Sequence, residues 1–329
     1  MRSRWTPLLA AAIVAGASPA MAGAQWTPAE TLTSAGVNGR FPDVAVNSRG
    51  DAVAAWITTG RSGRSAVRAS VRPAGGPWSE PRTISRPGRS ARDPRVAING
   101  DREIVVAWRR VARTRRVNTG SGLKPQAVYV VQARRRTVEG DWQPTQNLSS
   151  SRQKSGPPRL GLGESGKAVV VWHWGTGTAP GSPGFVSRVQ SSAGEASSRF
   201  RGAQRLSRRP GCGQAVGLPD VAVGAGGDAI AWWECRRNRA GDISVDYATM
   251  TGRATRFGSN RRLAGVSRGT PEVTGAVAAD GSIRLALTRA DRNARGPRIM
   301  SAERRGARGA LRPPRSIRGA RGSELAAAG

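Results

Sequence analysis

Pro42-Asp43-Val44-Ala45-Val46-Asn47-Ser48-Arg49-Gly50-Asp51-Ala52-Val53-Ala54-Ala55-Trp56 reads as two short strands around a tight turn. Apolar runs flank a polar, Gly-bearing break, the pattern of a β-hairpin. The same phrase restarts at Pro94-Arg95-Val96, Pro158-Arg159-Leu160, Pro219-Asp220-Val221 and Pro271-Glu272-Val273. Fourteen residues after each of the first four prolines stands a tryptophan: Trp56, Trp108, Trp172 and Trp233. The fifth copy carries Leu287 instead, displaced by two inserted residues near Thr274-Gly275. Turn glycines recur in Gly163 to Lys167, Gly224 to Asp228 and Asp280-Gly281, while Asn99-Gly100-Asp101 sits one position earlier.

A second marker repeats independently. Trp26, Trp78, Trp142, Phe200, Phe257 and Leu311 are each followed six residues later by an aliphatic: Leu32, Ile84, Leu148, Leu206, Leu263 and Ile317. Between the two markers lies a further strand, such as Ala66 to Val71 or Ala127 to Ala133. The unit is therefore four strands, A from the proline, B ending at the tryptophan, C after a longer loop, and D with the aromatic and aliphatic pair. A four-stranded unit recurring at proline spacings of 52, 64, 61 and 52 residues predicts an all-β chain, a β-propeller of four-stranded blades. The blades are expected at about 42–87, 94–151, 158–209, 219–265 and 271–319, with an incomplete sixth from 26–34 and 323–329. A propeller closes to hide its sheet edges. The expectation is thus a truncated chain, or a ring completed by another copy.

The first residues read as a secretory signal over 1–24. Arg2 and Arg4 give a positive start, Leu8 to Ala17 an apolar core, and Ala20-Met21-Ala22 or Ala22-Gly23-Ala24 a small-residue cleavage site. The apolar run is shorter than a bilayer requires, and no later segment could span one. Export to the cell envelope or medium is expected. It would permit a disulfide between the only two cysteines, Cys212 and Cys235, which the repeat places in neighbouring loops of one face.

The Pro-x-Val-Ala-Val strand, the Gly turn, the Ala-Val-x-x-Trp strand and the Gly-containing turn before Trp-Ser-x-Pro together resemble the BNR or sialidase-like propeller repeats of secreted bacterial proteins. The Asp-box of that family is not met. Pro73-Ala74-Gly75-Gly76-Pro77-Trp78 keeps the glycine and tryptophan and lacks the aspartate. Gly39-Arg40-Phe41-Pro42 resembles the family's Arg-Ile-Pro motif, which would make Arg40 a candidate member of its arginine triad. The resemblance also implies a tyrosine nucleophile with a glutamate partner. Tyr129 and Tyr247 are the only tyrosines, and both fall on C strands where packing is the ordinary role.

Other chemistry finds little footing. His173 is the single histidine, so no His-based metal cage or Ser-His-Asp relay can be assembled; it reads as a loop residue beside Trp172. Gly161-Leu162-Gly163 and Gly224 to Gly227 open no helix, as a phosphate-binding loop would require. No cofactor or metal is expected.

Charge is the informative quantity. The chain carries 53 Lys and Arg against 21 Asp and Glu, a net +32, and only three of its cations are lysines. On the repeat, B-to-C and D-to-A loops share one face. The first set carries Arg109, Arg110, Arg113, Arg115, Arg116, Arg236, Arg237 and Arg239; the second adds Arg40, Arg86, Arg89, Arg92, Arg152 and Lys154. The A-to-B turns of the opposite face are acidic on balance, with Asp51, Asp101, Glu103, Glu164, Asp228 and Asp280. A concentrated positive field attracts polyanions, and guanidinium forks suit sulfate, phosphate and carboxylate. The reading is a secreted, non-catalytic propeller binding an anionic polymer, whether envelope polymer, acidic glycan or extracellular DNA, through its arginine-rich face. Aromatic residues do not interleave there, which argues against sequence-specific nucleic-acid recognition. The alternatives are a sialidase-like glycoside hydrolase, or a degenerate relative, and a structural envelope protein, with homo-oligomerisation possible if the ring is incomplete.

Overall fold

The computed structural model describes residues 28–34, 36–60, 62–86, 88–118, 122–176, 186–207, 214–236, 242–268, 272–289 and 298–321. Every regular element among them is a strand. The first sheet is β1 (Gly39–Val46), β2 (Ala52–Thr59), β3 (Ser65–Arg72) and β4 (Arg82–Thr83); the second is β5 (Ala91–Ile98), β6 (Ile104–Asn118), β7 (Leu123–Arg136) and β8 (Gln146–Asn147). In the third, β10 (Arg159–Leu162), β11 (Lys167–Thr176), β12 (Val186–Glu195) and β13 (Gln204–Arg205) are joined by β9 (Lys154–Ser155), which pairs with β11 above β10. The fourth is β14 (Gln214–Val223), β15 (Ala229–Arg236), β16 (Asp242–Met250) and β17 (Arg261–Arg268), and the fifth β18 (Val273–Val277), β19 (Ile283–Arg289), β20 (Arg298–Arg304) and β21 (Arg315–Arg321).

Each sheet is an up-and-down antiparallel meander of sequence neighbours, to which the third adds β9. Consecutive sheets meet through their first strands, β1 with β5, β5 with β10, β10 with β14 and β14 with β18. The fourth strands form the opposite edges. Sheets stacked in series about their first strands are propeller blades, and the expected fold class holds. The leader 1–24 and the segment 323–329 lie outside the described residues, and residues 28–34 form no strand.

The two sequence markers are the two components of each seam. Trp108, Trp172 and Trp233 are fully buried against the preceding sheet: Trp108 beside Ile57 and Ile84, Trp172 beside Val131 and Leu148, Trp233 beside Val189 and Leu206. Leu287 fills the same place beside Trp232 and Leu263. Ile84, Leu148, Leu206 and Leu263 are the D-strand aliphatics of the preceding blade. Burial of such side chains, each worth about 1.5–3 kcal/mol, is what joins the meanders into one body.

Two details differ from expectation. The residue that takes the left-handed conformation in each A-to-B turn is Gly50, Gly166, Gly227 or Gly281, but in the second blade it is Arg102, at φ +63°. The turn keeps its register there, and Gly100 instead donates its amide to Glu164 of the next blade. Arg102 is held by a 2.9 Å bond from its Nε to Asp51 of the preceding blade. His173, expected in a loop, lies within β11 opposite Val189, because the β11–β12 ladder continues past Trp172 to Thr176.

Candidate anion-binding face

The first strands of three blades are bulged where the proline stands, between Arg40 and Asp43, Arg92 and Arg95, and Val216 and Asp220. Proline cannot donate to the ladder, so the strand skips a residue there and re-aims its neighbours. Phe41 and Asp93, immediately before their prolines, are at φ +53° and +51°, a conformation bulky residues seldom adopt.

The residues just after the prolines then gather on the axis. Arg95 Nη1 reaches Asp43 Oδ1 at 3.3 Å, and Asp43 Oδ2 also accepts the Val96 amide at 2.8 Å. Burial raises the pKa of Asp220, opposed by the Val221 amide and by the charges of Arg159 and Arg95. Asp220 of the fourth blade thus feels Arg95 of the second, which places both on the axis that the blades surround. Of this cluster, Arg95 and Asp43 form an ion pair.

The expected B-to-C loop of the second blade is instead strand. Arg109, Arg110, Arg113, Arg115 and Arg116 belong to β6, which with β7 forms a long hairpin: Arg109 pairs with Val131, Arg110 with Val130, Arg113 with Val128, Arg115 with Gln126 and Arg116 with Pro125. Backbone pairing needs no apolar side chains, so the ladder runs on through an arginine-rich stretch. A bulge between Val111 and Arg113 changes the alternation midway.

The five arginines therefore have different fates. Arg109 is consumed locally, its Nε 2.6 Å from Asp93 Oδ2 and its guanidinium 4.6 Å above the Tyr129 ring. Arg110 is half-buried at the seam with the first blade. Arg113 and Arg116 are exposed, and Arg115 is half-buried. Burial, and then the charge of Arg115, lowers the pKa of Lys154 on β9, so the basic surface continues from the second blade onto the third. Arg236 is exposed at the end of β15. Arg237, Arg239 and Cys212 lie outside the described residues; Cys235 is 1% exposed on β15, opposite Ala215.

Arg40, the candidate triad residue, is exposed on β1 and has no ion pair among the described residues. The Tyr247 hydroxyl accepts the Leu311 amide at 3.1 Å from a buried position, and Tyr129 lies under Arg109. Both tyrosines pack, as their C-strand positions suggested.

A second acid of the fourth blade has a raised pKa. Burial pushes the Glu234 carboxyl up to about 7, and its Oε2 has no hydrogen-bond partner. The opposite face behaves otherwise. Two of its turn acids are bound into the blade-to-blade latch: Asp51 Oδ2 accepts from Arg102 and Asn47, Asp51 Oδ1 accepts the Ala74 amide at 2.9 Å, and Glu164 Oε2 accepts the Gly100 amide at 2.5 Å. Among the described residues, no group of three His, Cys, Asp or Glu could hold a metal ion, and no helix is long and apolar enough to cross a membrane.

No family model and no curated protein matches the chain. Solved structures similar in fold include the leech intramolecular trans-sialidase (10% identity, 84% of this chain and 60% of that one, TM-score 0.46). A second is the intramolecular trans-sialidase from Ruminococcus gnavus (9% identity, 83% and 82%, TM-score 0.43). A third is a protein of unknown function from Dyadobacter fermentans DSM 18053 (14% identity, 82% and 79%, TM-score 0.46). The chain spans 60% of the leech enzyme's length. At these identities the likeness is one of fold alone; the β-propeller class rests on the stacked four-stranded meanders of the chain itself.

Proposed function

We propose that this protein is exported and binds an anionic polymer, in the first place an acidic glycan, through the arginine-rich face formed by the β6–β7 hairpin and the loops entering each first strand. The observation that carries the reading is the unequal compensation of charge on the molecule. Arg95 on the axis and the turn acids Asp51 and Glu164 have partners, whereas Arg113, Arg116 and Arg236 stand exposed on one face with no counter-ion among the described residues. Guanidiniums left uncompensated attract sulfate, phosphate and carboxylate groups and release counter-ions when they bind them. The reading invokes no catalytic step, and it takes the Tyr247 hydroxyl, which accepts the Leu311 amide, as a packing group. A disulfide between Cys212 and Cys235 belongs to the same proposal, as a tie between two loops of this face; two free thiols by non-reducing mass spectrometry would remove it.

Retention on immobilised heparin and on polygalacturonate, with uncharged dextran as control, tests the reading. Retention on the charged matrices at low salt, with elution as salt rises, is expected. Passage through all three at low salt would overturn it.

A further inference from the structure

Where the first two blades meet, a cavity of about 600 Å³ opens among Arg86, Arg89, Arg110, Gln132, Arg134 and Asn147. Part of its wall is held by fixed groups. Arg134 is a rigid part of the wall: its Nε donates to Gln143 O at 2.7 Å and its Nη1 to Ile84 O at 3.1 Å, across the blade seam. Gln132 is fixed as well, accepting from Trp108 Nε1 at 3.2 Å and donating to Asn147 Oδ1 at 2.7 Å.

The other three arginines are less fully satisfied. Arg89 gives one donor, Nη1, to Ala112 O at 2.5 Å, and Arg110 gives Nη1 to Val111 O at 3.4 Å, while Arg110 Nε is buried with no hydrogen-bond partner. The pKa of Arg110 is lowered by burial and then by the charges of Arg89 and Arg86, both of which line the same cavity. Among the described residues, no carboxylate lines the cavity to offset them. Like charges brought to one cavity are stabilised by an anion that accepts from all three.

We propose that the cavity between the first and second blades is a binding site for one tetrahedral oxyanion, a sulfate or phosphate group, held by Arg86, Arg89 and Arg110. Three cations arriving from a loop and a strand suit a compact dianion with oxygens directed several ways better than a planar carboxylate met by a single fork. The site deepens the polymer-binding reading by giving it a pocket for an ester substituent, and it rests on that reading for its polymeric source. A free ion presents the same chemistry.

The test is thermal denaturation in a few millimolar sulfate or phosphate, against chloride at equal ionic strength. The wild-type midpoint is expected to rise with either oxyanion and not with chloride. Arg110→Gln and the Arg86→Gln/Arg89→Gln pair are expected to weaken the apparent affinity roughly ten- to hundredfold, the loss of one or two charge-assisted bonds. Because Arg86 and Arg89 are exposed, their replacement leaves the fold intact even should Arg110→Gln not fold. The control Arg253→Gln/Arg256→Gln, exposed and outside the cavity, is expected to keep the full response. A wild-type midpoint indifferent to oxyanion, or an equal rise in the Arg86→Gln/Arg89→Gln variant, overturns the site. Heparin and polygalacturonate then separate the sources. Preferential loss of heparin retention in the pocket variants assigns the site to an ester on a polymer. An oxyanion response without polymer retention keeps the pocket as a free-ion site and removes the polymer reading, while retention without an oxyanion response does the reverse.

Discussion

Glu234 should make the protein less stable as pH rises through neutrality, and Glu234→Gln should remove that dependence. The carboxyl sits on β15 with Oε2 buried and unpartnered, and burial raises its pKa from the ordinary 4.5 to about 7. Between these values the folded chain holds a proton that the unfolded chain has released. The stability this confers is complete below about 4.5 and is lost as pH rises through 7. At about 1.36 kcal/mol per decade of proton concentration the ceiling is ~3.4 kcal/mol. Water reaching the partly exposed side chain screens about half of it, which leaves about 1–2 kcal/mol. Glutamine has the same shape and stays neutral. Denaturation of both proteins across this pH range should therefore show equal stability near the acid end and a variant more stable by about 1–2 kcal/mol above neutrality, a few degrees in midpoint for a chain of this size. A difference that is independent of pH, or that grows as pH falls, would refute the reasoning.

Two further outcomes follow from the same packing. Asp51, held at about 2 by bonds from Arg102, Asn47 and the Ala74 amide, contributes stability that is present above its ordinary 3.8 and lost as pH falls through 2. Asp51→Ala should cost about 2–3 kcal/mol near neutrality in urea denaturation and converge on wild type in acid; an unchanged midpoint at neutral pH would contradict the latch. Gly163→Ala should destabilise by about 1–3 kcal/mol, because the added Cβ would lie 2.3 Å from Gly224 O on the next blade. Gly202→Ala, with open space around it, should change stability by less than about 0.5 kcal/mol in the same assay, and equal effects at the two sites would argue against the close approach of these blades.

The blades were legible because their seams demand large apolar side chains at fixed steps. Trp108, Trp172 and Trp233 occupy one position of a seam, Ile84, Leu148 and Leu206 another, and both recur whatever the loops do. The boundary of the second B strand was not legible. From Arg109 to Asn118 the residues carry no regular burial pattern, yet the ladder with β7 continues to Leu123, sustained by backbone bonds that leave no mark on side-chain chemistry. The second A-to-B turn misleads for a related reason: Arg102 takes a left-handed conformation usually given to glycine, at a cost met by its bond to Asp51.

The side of the molecule on which the arginines gather could be inferred from strand direction alone. Their individual roles could not. Arg109 is neutralised by Asp93 only because the bulge before Pro94 turns that carboxylate towards β6. Arg110 joins Arg86 and Arg89, distant in sequence, only because the first two blades pack at their edges. Glu234, two residues from the Trp232 that packs on the fifth blade, carries no motif; its signal is burial, which a sequence does not print.

The most direct test of the arginine-rich face is the salt dependence of heparin affinity, measured by fluorescence titration for wild type and for Arg113→Gln/Arg116→Gln. Each arginine that no longer neutralises a sulfate or carboxylate of the polymer should flatten the slope of log affinity against log salt by about one, or somewhat less. The double variant is expected to show a slope shallower by about one to two units and correspondingly weaker binding at low salt. Identical slopes and affinities for the two proteins would contradict the assignment of polyanion binding to this face.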